Sequence, residues 1–249
     1  MIHEELSRQI SDMQKDLKRT FHPAFDLAKK EVLDFSFSFK KMNRVAELGG
    51  VGEIDCAYGL YAMEKYNPNE MIMVDVQWPN SAKRLCDKHK EISTMQANFG
   101  SPEMPERIGH VDTIILFDVL LHQVAPDWDQ ILEMYAPFTR SFIICNPQFT
   151  PSSSTVRLLD LGKEEYLKNV PHEPTHPSYV QLFSHMYEEI VPGRIWRDAP
   201  NVWQWGITNN DLIRTMDRLG FQLDFLKNYG QWHSLSNFEH YSYFFYKKD

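Results

Sequence analysis

Cysteine is scarce in this chain. Its 249 residues hold three, Cys56, Cys86 and Cys145, an odd and widely spaced set without C-x-x-C spacing. Disulfide and zinc frameworks are therefore poor readings, and reduced thiols in a cytoplasmic protein with no metal are expected. No apolar run reaches the roughly 18 residues of a membrane span, and the first residues are polar rather than signal-like. Positive charge is also short, with 26 Lys+Arg against 34 Asp+Glu. That makes nucleic acid an unlikely partner, because phosphate neutralisation needs clustered cations. Internal repeats and low-complexity tracts are absent, and so is G-x-G-x-x-G, which weakens a dinucleotide-dependent oxidoreductase reading.

What the chain does have is a large apolar and aromatic content, 43% and 13%. That suits one domain with a cover. The organising stretch is Asn43 to Val76. Val45, Ala46 and Leu48 read as a strand leading into Gly49, Gly50 and Gly52, followed by a helix that Asn67-Pro68 ends. Met71 to Val76 is too short for a helix and fits a buried parallel strand. In such a unit the ligand sits beyond the carboxyl ends of the strands, glycines let backbone N–H groups approach it, and a terminal acid holds ribose hydroxyls. Asp75 is that acid.

The rest of the chain extends the pattern. Residues 2–21 carry Ile2, Leu6, Ile10, Met13, Leu17 and Phe21 at helical spacing, an amphipathic helix for the domain edge, the substrate pocket or a homodimer. Phe35, Phe37 and Phe39 alternate with serines and suggest a short strand or extended cover. Helices are expected at Asn80 to Glu91 and Trp128 to Phe138. A strand and turn are expected at Ile92 to Phe99, and strands at Val111 to Asp118 and Ser141 to Cys145, the last ended by Asn146-Pro147. Alternating strands and helices predict a doubly wound, mostly parallel α/β sheet. Thr150 to Trp205 breaks the alternation and reads as a partly helical substrate cover. A helix beginning at Thr208, with an acid three residues on, and two antiparallel strands complete the chain. The expected division is a cap at 1–40, a nucleotide-binding half at 41–149, a cover at 150–206 and a closing unit at 207–249.

These residues, in this order, resemble the class I S-adenosylmethionine-dependent methyltransferases over roughly Arg44 to Lys248. The resemblance rests on Glu47 with Gly49, Gly50 and Gly52, on Asp75, on Asn98-Phe99, and on Phe117-Asp118-Val119-Leu120-Leu121-His122, similar to the family's D-V-L-H segment. The spacings of 23 residues from Asp75 to Asn98 and 20 from Asn98 to Asp118 each fit one helix and one strand. It implies a seven-stranded Rossmann-like sheet, S-adenosylmethionine as cofactor with S-adenosylhomocysteine as product, and methyl transfer to a small organic acceptor, foremost at oxygen. Glu47 would hold the methionine amino group, Asp75 and Val76 the ribose, Asn98 and Phe99 the adenine, with Phe117 and Asp118 beside them.

The glycine loop departs from D/E-x-G-x-G-x-G, and two registers compete. Either Glu47 precedes a long loop reaching Gly59, or the loop is Glu53 to Gly59 with Asp55 where a glycine is expected. His122 is the first candidate for a general base if the acceptor is a hydroxyl. His172, His176, Tyr179, Trp196 and Trp203 are candidates for the substrate pocket, the alternative for the aromatics being the cover's own core. Pro192 to Trp196 and Asn201 to Trp203 are also similar to a segment of tRNA wobble-uridine carboxymethyltransferases, which keeps a tRNA-modifying transferase as a rival. A catalytically inactive binding subunit with this fold is the second rival.

Overall fold

The computed structural model describes residues 26–51, 54–171, 177–199 and 202–248. The helix expected over residues 2–21 lies outside them. The described chain opens with helix α1 (Leu27–Phe39), then strand β1 (Arg44–Leu48), α2 (Ala57–Tyr66), β2 (Glu70–Asp75), α3 (Asn80–Cys86), β3 (Ile92–Gln96), α4 (Met104–Ile108), β4 (Thr113–Phe117), α5 (Trp128–Tyr135) and β5 (Ser141–Phe149). After a cover come α8 (Asn209–Arg218), β10 (Phe221–Trp232) and β11 (Leu235–Lys247). β4 is buried at every position and β1 at all but its first, because helices lie on both faces of the sheet.

The seven strands run in the order β10-β11-β5-β4-β1-β2-β3, with β11 antiparallel to both neighbours and the others parallel. Strand order reverses between β1 and β4. Ligands of such sheets bind outside the carboxyl ends at that switch point.

Two sequence expectations fail for local reasons. Phe35, Phe37 and Phe39 lie on α1, not on a strand. Asp26 caps that helix by accepting from the Ala28 N–H at 2.8 Å, and Ala28, Val32, Leu33 and Ser36 form its buried stripe. Phe35 then meets Phe225 and Phe244, while Phe37 stacks on Tyr66. The second failure is β5, which continues through Asn146-Pro147 and pairs with β11 as far as Phe149. The Phe149 N–H points away from β11 to the Ile207 carbonyl. Pro147, two residues earlier, faces the same way, where β4 has already ended and no ladder donor is needed. A smaller difference is that α3 stops at Cys86, while β3 ends at Gln96 with the expected turn after it.

The cover holds β6 (Val156–Arg157), α6 (Lys163–Lys168), α7 (Pro177–Ser184), β7 (Glu189–Val191), β8 (Arg194–Ile195) and β9 (Trp205–Gly206). It has an apolar core of its own, in which Leu158, Tyr166, Leu182 and Val202 pack with Leu121 and Phe238. Arg157 knits its polar edge, donating to Gln204 and to Asp198 at 2.5 Å. No helix among the described residues is long and apolar enough to cross a membrane.

Candidate active site

Glu47 lies inside β1 and Gly49-Gly50-Val51 follow it directly, which is the register that begins at Glu47. Gly49 has φ +79°, and a Cβ there would fall 2.6 Å from Val119 Cγ1. A Cβ on Gly50 would fall 2.4 Å from Glu47 Oε1. The Glu47 carboxyl is thus enclosed by glycine backbone, and neither oxygen has a hydrogen-bond partner. Burial pushes its pKa up to about 8.

Asp75, at the end of β2, anchors the same loop. Its Oδ2 accepts from the Val51 N–H and its Oδ1 from the Gln77 N–H, both at 3.0 Å. Val76 beside it is 56% exposed. Phe99 is buried, its ring 3.2 Å from the Cβ position of Gly49, and its carbonyl accepts from the Tyr135 hydroxyl. Asn98 is exposed after β3 and accepts from the Gly100 N–H at 2.9 Å in a local turn. Glu47 and Asp75 therefore stand at the carboxyl ends of β1 and β2, and Gly49, Gly50, Val76, Asn98 and Phe99 follow the ends of β1, β2 and β3. Asp55 does something else. It stands at φ +49° and accepts from the Ser81 hydroxyl at 2.7 Å, tying the loop to α3. Gly52 lies outside the described residues. Trp78 is buried, and its indole N–H donates to the Met95 carbonyl.

A second group gathers around the carboxyl end of β4. Phe117 meets the Tyr58 ring edge-on at 5.2 Å. Asp118 follows at φ +54°, a conformation that Asp tolerates better than most residues, and pairs with Lys29 of α1 at 2.5 Å. Burial alone would raise the Asp118 pKa, but Lys29 and His240 outweigh it and hold the carboxyl below its usual range. His240 Nε2 lies 3.0 Å from Cys145 Sγ and 4.0 Å from Asp118 Oδ1, and its Nδ1 lies 3.6 Å from Asp26 Oδ2. Ser242 donates to Cys145 Sγ at 3.2 Å.

His122 reaches from the end of β4 to the cover. Its Nδ1 is 3.0 Å from the Val202 carbonyl and its ring meets Trp203 edge-on, so it braces the cover. Burial pushes its pKa down, against the hydrogen bond to Val202 and the field of Asp118. Tyr179 and Trp203 follow the second of their two readings, since both belong to the cover's core. A cover of this size must bury apolar area of its own, and its aromatics supply it. Trp196 packs partly buried on that core, and His172 and His176 lie outside the described residues.

Sequence reasoning missed Lys29, Cys145 and His240 as partners. Two weak signals existed. Lys29 adjoins Ala28 on the buried stripe of α1, and His240 lies within the aromatic run that becomes β11.

No protein-family model matches the chain, and no curated protein does. Solved structures do. A Burkholderia thailandensis 1,6-didemethyltoxoflavin-N1-methyltransferase, holding that molecule and S-adenosylhomocysteine, is 12% identical with a TM-score of 0.61. The match covers 100% of this chain and 91% of that one. The N-terminal domain of EvdMO1 with S-adenosylhomocysteine bound is 11% identical at a TM-score of 0.56, covering 90% and 82%. The magnesium protoporphyrin IX methyltransferase of Synechocystis PCC 6803, also with S-adenosylhomocysteine, is 12% identical at 0.53, covering 99% and 94%. The fold is that of the class I S-adenosylmethionine-dependent methyltransferases.

Proposed function

We propose that this chain is a methyltransferase that uses S-adenosylmethionine and acts on a small organic acceptor, at an oxygen. The observation that carries the reading is Glu47. A buried carboxyl with no hydrogen-bond partner, under a glycine loop at the end of β1, suits a ligand cation such as the amino group of the cofactor's methionine. The other residues fit the same group. Asp75 and Val76 would receive the ribose, Asn98 and Phe99 the adenine, and Phe117 and Asp118 would separate the cofactor from the acceptor.

When bound, S-adenosylmethionine supplies a methyl group on a sulfonium already activated for in-line displacement. The protein's part is to align the acceptor and keep water out. Acceptors of two of the structural neighbours, a toxoflavin precursor and a metalloporphyrin, are small organic molecules, in keeping with this reading. An oxygen acceptor is favoured because Lys29, Asp118, Cys145 and His240 gather ionisable groups around the carboxyl end of β4, and a hydroxyl acceptor must give up a proton.

The test is calorimetric titration of the protein with S-adenosylmethionine and S-adenosylhomocysteine, repeated on Asp75→Asn. Binding by the wild type, weakened at least tenfold in the variant, supports the reading. If the folded wild type binds neither, the reading is wrong.

A further inference from the structure

We propose that Asp118, Cys145 and His240 form a binding site for a borderline-soft divalent cation, zinc foremost, with one coordination position left open. Their ligand atoms all lie within 4.8 Å of one another. With zinc–ligand bonds of about 2.0–2.3 Å, tetrahedral neighbours stand about 3.3–3.8 Å apart. The observed separations of 3.0 Å for Sγ to Nε2 and 4.0 Å for Nε2 to Oδ1 bracket that range. Thiolate, imidazole and carboxylate together are a donor set that zinc accepts, and three protein ligands leave a fourth position for water or substrate.

Asp118 Oδ1 is buried and has no hydrogen-bond partner, so one corner of the triangle waits for a positive or donating group. Each ligand also has an outer partner. Asp26 faces the far nitrogen of His240, Lys29 holds the other oxygen of Asp118, and Ser242 donates to Cys145. A carboxylate behind a ligating imidazole is a recurrent support of zinc sites.

Charge leads to the same conclusion. With Cys145 as a thiol, two carboxylates face one ammonium and the cluster is net negative by one. Loss of the thiol proton and gain of a divalent cation bring it to zero. The exchange balances without oxidant or reductant: the S–H bond breaks, the S–metal bond forms, and the proton leaves to solvent. Cys145 and His240 come from the paired strands β5 and β11, and Asp118 directly follows the neighbouring β4, so the ligands are carried by the central sheet. The Asp118 side chain is 27% exposed, which provides an entry path.

Placed there, a cation would hold the acceptor's oxygen and lower its pKa. That use rests on the methyltransferase reading. Binding of the metal does not.

The probe is Co²⁺ alone, titrated into the metal-free protein. One equivalent should give a thiolate-to-cobalt charge-transfer band with tetrahedral d–d absorption, and Zn²⁺ should displace it. Cys145→Ser should abolish the charge-transfer band, and His240→Gln should weaken cobalt binding at least 100-fold. Asp26→Asn, behind the imidazole, should weaken it by about 10–100-fold. Circular dichroism checks that each variant is folded. If Cys145→Ser does not fold, His240→Gln and Asp26→Asn decide: undiminished affinity in both overturns the proposal. Absence of the band in the wild type overturns it too. So does a band that survives Cys145→Ser and vanishes in Cys56→Ser, because Cys56 and Cys86, with sulfurs 3.6 Å apart, are the other thiols near one another.

Discussion

Gly59 lies against the carboxyl of Glu47, so that a Cβ at residue 59 would fall 2.4 Å from Oε2 and equally close to Met73 Cε. Residue 59 is inside α2, where alanine is favoured over glycine by about 1 kcal/mol. Overpacking costs about 1–3 kcal/mol. The two effects largely offset in Gly59→Ala, so its stability should change by less than about 2 kcal/mol. The displaced Glu47 should instead cost at least tenfold in S-adenosylhomocysteine affinity. Paired melting and calorimetry measure both.

Glu47 also sets a pH dependence. Its folded pKa of about 8 lies above the ordinary 4.5, so the native state binds the extra proton between those values. The stability this confers is complete below about pH 4.5 and is lost as pH rises to about 8. Glu47→Gln, which mimics the protonated form, should match the wild type in urea stability near pH 4.5 and exceed it at pH 8. If Glu47 meets an ammonium as a carboxylate, cofactor binding at pH 7 should also release close to one proton per chain. Calorimetry in buffers of different ionisation heat would read this.

Lys29 and Asp118 should behave as a coupled pair. Removing one partner of a buried ion pair costs about 3–5 kcal/mol, and the 14% and 27% exposure of these side chains reduces that to about 2–3 kcal/mol. Lys29→Met should therefore destabilise by that amount. Lys29→Met with Asp118→Asn should recover at least half, since Asn tolerates the positive φ of residue 118. Denaturation of the full double-mutant cycle gives the coupling directly.

His122→Ala should loosen the cover without removing a base. Loss of the bond to the Val202 carbonyl predicts about 1–2 kcal/mol of destabilisation. The pH dependence of methyl transfer should keep its shape, with kcat falling less than tenfold. Loss of the low-pH limb of the pH–rate profile, the limb a general base produces, would contradict this expectation.

How much could be read from the sequence depended on distance along the chain. Val45 to Leu48, Met71 to Asp75 and Thr113 to Phe117 are nearly continuous apolar runs, and such runs signal strands covered on both faces. Glu47 and Asp75 followed from them, because both stand at or near strand ends. Phe35, Phe37 and Phe39 misled because a spacing of two is visible locally, whereas the stripe of Ala28, Val32 and Leu33 that forms the helix needs a longer window. Cys145 and His240 could not be joined from sequence, being 95 positions apart. Only the insertion of β11 beside β5, with Ser242 opposite Cys145 and His240 opposite Pro147, brings them together. The aromatics of the cover were undecided for a related reason, since composition does not distinguish a core from a pocket wall.

The placement of β11 has a consequence for synthesis. Residues 44–117 supply β1 to β4 and both carboxylates of the nucleotide half, and they leave the ribosome early. Until residues 235–247 have been made, β5 has no neighbour on its far side, and Cys145 waits for His240 and Ser242. The two groups of candidate site residues are therefore completed at different times: Glu47 and Asp75 are both synthesised well before the thiol, imidazole and carboxylate can meet.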